Sequence, residues 1–179
     1  TKLPEYDQLL TGNVIFHNRS IGIGYMSKET AIAYGVTGPS GRGSGFSCDI
    51  RKIAPYGAYD KVQFNEILET DGDIFARYKA RMREMWESLN IIEQLIDNIP
   101  DGDYTAKMKP IIKLPAGEYF RRVETARGEL AVYVVSDGNK SPYRMRFRSP
   151  SFSNLFVMNE ISKGCKIADL IAISGSLDL

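Results

Sequence analysis

Two cysteines and one histidine are all that this 179-residue chain offers to a transition metal or a catalytic triad, and that scarcity narrows the chemistry open to it. Cys48 and Cys165 lie far apart and form no Cys-x-x-Cys pair, so neither a zinc ribbon nor a cysteine-ligated cluster is encoded. Free thiols in a reducing compartment are expected. His17 stands alone, in a stretch without a nucleophile-elbow pattern, so a structural or solvent-facing role fits it better than Ser-His-Asp or Cys-His chemistry. An excess of one charge sign is also missing: 23 basic against 22 acidic side chains leave a net charge of +1, too little for the basic surplus of a nucleic-acid binder. No apolar run approaches the roughly 20 residues that cross a bilayer, and Thr1-Lys2-Leu3-Pro4-Glu5 has no signal-peptide core. Membrane attachment would therefore come through partners.

What is present is enough chain for one substantial core, in one domain or two closely packed lobes. Residues 1–26 are mixed and too short in their apolar runs to assign. Ser27 as N-cap and Gly35 as a C-terminal stop bracket a helix over 28–34. Residues 37–60, rich in Gly and Pro, read as a long irregular connection of the kind that carries function or meets a partner. The spacing of Phe75, Tyr78, Met82, Met85, Leu89, Ile92, Ile96 and Ile99 predicts a helix over about 73–98, with Pro100 ending it and a seam facing another helix. Residues 100–117 read as a loop. The run 130–135, the turn dipeptide Asp137-Gly138 and a strand alternating Tyr143, Met145, Phe147 with Arg144, Arg146, Arg148 predict a hairpin. Ser149-Pro150 then opens a helix to about 162. The last segment, 167–179, is apolar and dense in small residues that let another backbone approach.

Gly38, Gly41, Gly43 and Gly45 invite a phosphate-cradle reading. The Walker pattern needs Gly-Lys-Ser/Thr, however, and the dinucleotide fingerprint needs a later glycine. A backbone that turns sharply or lies against a neighbour is the better account. Arg144, Arg146 and Arg148, with Arg121, Arg122 and Arg127 nearby, form either an ordinary solvated strand face or fixed positive charges against an acidic surface or redox centre. Asp169 sits among apolar neighbours, on the exposed side of a helix turn or buried with a partner.

Five blocks in order resemble one family. They are Thr37-Gly38-Pro39-Ser40-Gly41-Arg42-Gly43-Ser44-Gly45; Asp49-Ile50-Arg51-Lys52 with Pro55-Tyr56; Arg127-Gly128-Glu129-Leu130 with Ser136-Asp137-Gly138; Pro142-Tyr143-Arg144 through Arg148-Ser149-Pro150-Ser151-Phe152; and Ala168-Asp169-Leu170-Ile171-Ala172-Ile173 with Gly175-Ser176-Leu177-Asp178. The chain is identified as similar to the hydrogenase-like large subunit of respiratory complex I, known as its D subunit, whose relatives are the large subunits of membrane-bound energy-converting nickel-iron hydrogenases.

The resemblance implies an α+β fold, in which a long bundle helix joins a C-terminal hairpin and helix lobe. The whole of 1–179 would be the C-terminal part of a D-type domain, mainly helical over 1–100, with the lobe over 118–179. It implies a subunit of a quinone oxidoreductase complex that takes electrons from NADH, a reduced deazaflavin or ferredoxin. Asp169, Ile171 and Asp178 would line the quinone cavity, and Arg42, Arg51, Arg127, Arg144, Arg146 and Arg148 would serve structure or partner contacts. The histidine and tyrosine that hold the quinone headgroup belong to the family's N-terminal part, so a fragment with no catalytic residue of its own is expected. An iron-sulfur cluster would sit on a neighbouring small subunit, a membrane subunit would be the other partner, and the complex would lie at the cytoplasmic face of the cell membrane. The chain itself would bind no metal and no nicotinamide. Residues 100–117 are shorter than in many NADH-dependent members and resemble archaeal complex I-like enzymes and the hydrogenases. The hydrogenase relatives place Asp-Pro-Cys-x-x-Cys where this chain has Asp178-Leu179, which favours the branch without nickel. A large subunit of an energy-converting hydrogenase and a non-catalytic assembly module are the alternatives.

Overall fold

The computed structural model describes residues 2–108 and 110–179. The first stretch, whose sequence pattern assigns no element, holds two short helices, α1 (Leu3–Thr11) and α2 (Val14–Asn18). Pro4 fits the first turn of α1, and the Asn13 side chain caps α2 by accepting the N–H groups of Ile15 and Phe16. Helix α3 (Lys28–Tyr34) has the expected bounds: Ser27 Oγ accepts the Thr30 N–H at 3.1 Å, and Gly35 closes the helix at φ 66°.

The stretch 37–60 is not a plain connection. It holds α4 (Gly38–Arg42), opened by Pro39, and α5 (Ile50–Ile53), opened by the Asp49 carboxylate accepting the Arg51 N–H. Helices of a single turn are too short to show a period, so sequence pattern does not reveal them. Residues 36–44 are buried throughout, as a segment wedged between other elements must be.

Helix α6 (Ile74–Ile96) begins where Asp73 Oδ1 accepts the Ala76 N–H at 2.8 Å. It ends before the expected residue 98 and is about 34 Å long at 1.5 Å per residue. Its buried face differs from the expected seam. Ile74, Ala76, Arg77, Ala80, Met82 and Ile91 point inward, whereas Met85, Ile92, Ile96 and Ile99 are exposed. The reason is that α4 and the last helix pack against small residues and a buried arginine, so the close face is not the most apolar one.

The expected hairpin is the second half of a three-stranded antiparallel meander in the order β1-β2-β3. Strand β1 (Gly117–Thr125) pairs with β2 (Gly128–Ser136) from Gly117↔Ser136 to Thr125↔Gly128, and β2 pairs with β3 (Arg144–Arg148) through Ala131↔Arg148 and Val135↔Arg144. The sequence does not announce β1, because its polar residues, Glu118, Arg121, Arg122 and Glu124, fall on both faces. Between β2 and β3 runs a loop over 137–143 rather than a two-residue turn. There the Asp137 carboxylate accepts the Asn139 N–H and Gly138 takes φ 85°.

Helix α7 (Pro150–Ile161) starts at the expected proline, although the Ser149 side chain makes no capping bond. Helix α8 (Asp169–Leu177) completes the chain. Met26, Ala31, Val36, Ile74, Val157, Ile161, Ile173 and Leu177 form the main core, where α3, α6, α7 and α8 meet. A smaller cluster of Val62, Phe64 and Ile91 lies under the loop beside α6. The fold is α+β, with helices and one antiparallel sheet, as the sequence implied.

Candidate functional site

The glycines of the first sequence block serve a backbone contact. Gly38, at φ +69°, lies so close to Gly128 that an added Cβ would stand 2.5 Å from the Gly128 Cα. An added Cβ on Gly128, at φ +126°, would stand 2.6 Å from Thr37 Oγ1. Thr37 Oγ1 in turn accepts the Glu129 N–H at 3.1 Å. The helix α4 block and the turn between β1 and β2 are thereby fixed to each other.

That contact carries Arg42 into the interior. The side chain is 1 % exposed, and its Nε donates to Glu84 Oε1 at 2.7 Å and its Nη1 to Glu124 Oε1 at 2.8 Å and the Cys48 carbonyl at 3.1 Å. Glu124 Oε2 accepts the Ile50 N–H, while the Tyr56 hydroxyl bridges the Glu124 backbone N–H and carbonyl. Beside them Arg51 grips Asp49 through both carboxylate oxygens, with the shortest contact at 2.6 Å. Burial opposes the charge on Arg42, but its hydrogen bond to Glu84 and the two carboxylates outweigh that and raise its pKa. Burial pushes the Glu124 carboxyl up against the pull of Arg42. Asp49 ends below the usual carboxylate range, because its bonds to Arg51 overcome its burial.

Two further arginines stand one helical turn apart on α6. Arg77 is fully buried and has no carboxylate in contact. Its Nη1 and Nη2 donate to the carbonyls of Gly72 and Gly24 at 3.0 Å, and its Nε to Ser176 Oγ at 2.9 Å. Burial first, and then Arg81, bring its pKa down to about 10 against the opposing charge of Asp73. Arg81 donates to the Arg77 carbonyl and to Ser40 Oγ. Burial lowers its pKa too, with Asp178 and Glu84 opposing.

Arg81 lines two adjoining clefts, and so does Asp178. One, of about 450 Å³, is charged, with Arg42, Arg51, Glu84 and Glu124 in its wall. The other, of about 410 Å³, is mostly apolar and is walled by Phe16, Ile74, Tyr78, Ala172 and Gly175. Phe16 and Tyr78 meet edge to face at 5.0 Å. Gly175 has no atom within 4 Å of an added Cβ, so α8 leaves open space there. The clefts join a greasy wall to a fixed cation and a carboxylate, an arrangement that suits a planar molecule with an apolar body and polar oxygens.

Asp169 is 4 % exposed at the first turn of α8. Its Oδ1 meets Arg19 Nη2 at 2.7 Å and its Oδ2 accepts the Lys166 N–H. Of the two alternatives left by sequence, the structure takes the buried, partnered one. Arg19 itself lines the apolar cleft. Asp178 closes α8 at φ 54°, the left-handed region, and its Oδ1 lies 3.6 Å from Arg127 Nε. Ile171 is 82 % exposed one turn before Gly175 and lines neither cleft. Among the arginines, Arg42 and Arg51 are spent on internal pairs, Arg127 on Asp178, and Arg148 on the carbonyls of Gly35 and Glu129 at 2.7 and 2.6 Å. Arg144 and Arg146 stand exposed.

Arg77, Arg81, Glu84 and Glu124 do not stand out in the sequence, because charged residues on a helix or strand read as solvated. The pattern that marks the first two is Ala76-Arg77 and Ala80-Arg81, where a small residue beside each arginine lets a neighbouring backbone come close. Among the described residues no three His, Cys, Asp or Glu side chains converge on a point that could hold a metal. No helix among them is long and apolar enough to cross a membrane.

The chain matches the family described as the respiratory-chain NADH dehydrogenase 49 Kd subunit over residues 1–113 and 106–179. It is 55% identical to the fused C/D polypeptide of the NADH-quinone oxidoreductase of Bacteroides fragilis, over 97% of its own length and 33% of that protein. It is 47% identical to the D subunit of the NADH-quinone oxidoreductase of Desulfotalea psychrophila, over 99% of its length and 48% of that protein. With the D subunit from Geobacillus thermodenitrificans the figures are 46%, 99% and 49%. The chain thus spans a third to a half of the relatives it matches. These matches run from end to end of the chain and include the glycine contact, the Arg42 cluster and α8, and the chain belongs to the family of the respiratory-chain NADH dehydrogenase 49 Kd subunit.

Proposed function

We propose that this chain is the C-terminal part, 1–179, of a D-type domain in an NADH-quinone oxidoreductase complex, and that it forms one wall of the quinone cavity. The observation that carries this is the apolar cleft of Phe16, Ile74, Tyr78, Ala172 and Gly175, which opens onto Arg81 and Asp178. A quinone ring would lie against the apolar wall, and the Arg81 guanidinium would stabilise negative charge developing on a quinone oxygen as electrons arrive. Asp178 would set the local field from the opposite sign, and the Asp169–Arg19 pair would hold the start of α8 in place. Asp178 in the cleft wall and Asp169 through Arg19 would shape the cavity without breaking bonds themselves, whereas Ile171, lining neither cleft, would meet the quinone only outside them. The relatives' names favour NADH as the electron source over deazaflavin or ferredoxin, and quinone as the acceptor over a hydrogenase reaction. In this reading an iron-sulfur cluster sits on a neighbouring small subunit. A membrane subunit is the other neighbour, and the complex lies at the cytoplasmic face of the cell membrane.

The test is Gly175→Leu in the full-length protein within the native complex. The open space around Gly175 lets the new side chain fill the cleft without disturbing the core. The expected result is a rise in KM for quinone of about tenfold or more, since losing well-matched apolar contact is worth at least about 1.4 kcal/mol. Oxidation of NADH by an artificial acceptor that bypasses the cavity should not change. Unaltered quinone kinetics in a complex that still assembles would remove the cleft from the quinone path and leave the assembly-module alternative.

A further inference from the structure

We infer that the free edge of β3 is a docking site for an extended segment of a neighbouring subunit that alternates acidic with apolar side chains. β3 is the last strand of the sheet, paired with β2 on one side and with no described strand on the other. Its backbone therefore presents a row of outward N–H and C=O groups, the template that β-strand addition uses. Both faces of this edge are incomplete. On one, Arg144 and Arg146 are exposed, and among the described residues neither guanidinium has a salt-bridge or hydrogen-bond partner. On the other, Tyr143, Met145 and Phe147 are 79, 47 and 68 % exposed. Arg148, the third arginine of the row, is already bound to Gly35 and Glu129, so it anchors the strand to the body.

These features choose the occupant. A second copy of β3 added in antiparallel fashion would set arginine against arginine, which is destabilising across a strand pair. A segment with Asp or Glu at alternate positions would meet Arg144 and Arg146 on one face, and its intervening apolar residues would cover Met145 and Phe147 on the other. Main-chain bonds would provide the attachment and the alternation the selectivity. The inference rests on the reading of the chain as one subunit of a complex, but its test does not depend on quinone turnover.

Amide hydrogen exchange over 143–148 would be compared between the full-length protein alone and the native complex. Alternate outward amides of β3 are expected to slow by about 100-fold or more on assembly, as buried ladder bonds do. The double variant Arg144→Glu with Arg146→Glu, both residues being exposed and unpaired, should fold normally. The protein with both changes should leave the complex at a salt concentration where the parent stays. Equal exchange rates in the free protein and the complex would overturn the proposal, and so would retention of the double variant as firm as the parent's. Protection already present in the free protein would also overturn it, assigning the edge to the protein's own chain if independent of concentration and to a second copy if not.

Discussion

Arg42 and Arg77 are both lost to solvent, yet they are held in opposite ways, and the difference can be measured. Arg42 neutralises two carboxylates, Glu84 and Glu124, whose side chains are 18 and 4 % exposed. Replacing it by Leu leaves those charges with no cation in contact, a loss of about 3–5 kcal/mol at neutral pH. In the parent, burial already holds the Glu124 carboxyl above its ordinary value of 4.5, and removing Arg42 takes away the opposing pull. A carboxyl whose folded pKa lies above the unfolded one favours the folded state at low pH and loses that advantage as pH rises through the folded pKa. Denaturant titrations of Arg42→Leu should therefore show a deficit against the parent that is large at pH 7, shrinks as pH falls through the raised folded pKa of Glu124, and is level below about pH 4.5. Arg77 is bonded only to carbonyl and hydroxyl oxygens, so the deficit of Arg77→Leu should stay level across the same range. A deficit for Arg42→Leu that does not change with pH would mean that Glu124 is not held against its charge. Sequence marks Arg42 through its glycine-rich block but not its partners, since Glu84 lies 42 residues away and Glu124 lies 82 residues away. Nothing local announces such a pairing.

At the scale of elements, legibility follows how much of each element's stability is local. Helix α3 has its start and stop written in Ser27 and Gly35, and α7 its start in Pro150, so their ends are readable. The face of α6 is not, because what it buries is set by α4 and α8, which pack against it, and the buried side includes Ala76, Arg77 and Ala80 rather than the most apolar residues. β1 alternates nothing recognisable and exists because β2 supplies its partner. The glycine block reads as a close backbone approach, and the structure bears that out, but the residue it approaches, Gly128, comes only with the fold. That contact predicts a contrast among glycines. Gly128→Ala must place a Cβ 2.6 Å from Thr37 Oγ1 at φ +126°, where an L side chain is strained, and should lower stability by about 3 kcal/mol or more. Gly175→Ala meets nothing within 4 Å in a helical backbone and should be neutral or stabilising by up to about 1 kcal/mol. Thermal unfolding of the two variants beside the parent decides it. A Gly128→Ala protein as stable as the parent would show that α4 and the β1–β2 turn are not locked together.

The described residues bury one main core and leave many large apolar side chains outside it, among them groups on or beside α6, α7 and α8. Ile92, Ile96 and Ile99 are 54, 60 and 71 % exposed around the end of α6. Phe152 and Phe156 are 65 and 60 % exposed on α7 with their rings edge to face at 5.2 Å, and Ile167 and Ile171 are 86 and 82 % exposed around the start of α8. Monomeric soluble proteins scatter such residues singly; runs of them along helix faces mark surfaces that meet other chains. The sequence already implies this, since the period of α6 continues past the reach of its partners within the chain. Expressed by itself, the chain should therefore associate through its helical faces, because the net charge of +1 opposes contact only weakly. Sedimentation velocity should show a weight-average mass above 20.1 kDa that rises with concentration, together with enhanced fluorescence of a dye that binds exposed apolar surface. Replacing Ile92 and Ile96 by Glu should lower both signals without loss of helix content, because neither side chain contributes to the main or the smaller core cluster. A strictly 20.1 kDa species across the range, with no dye response, would mean that these faces are tolerated by water and need no neighbour.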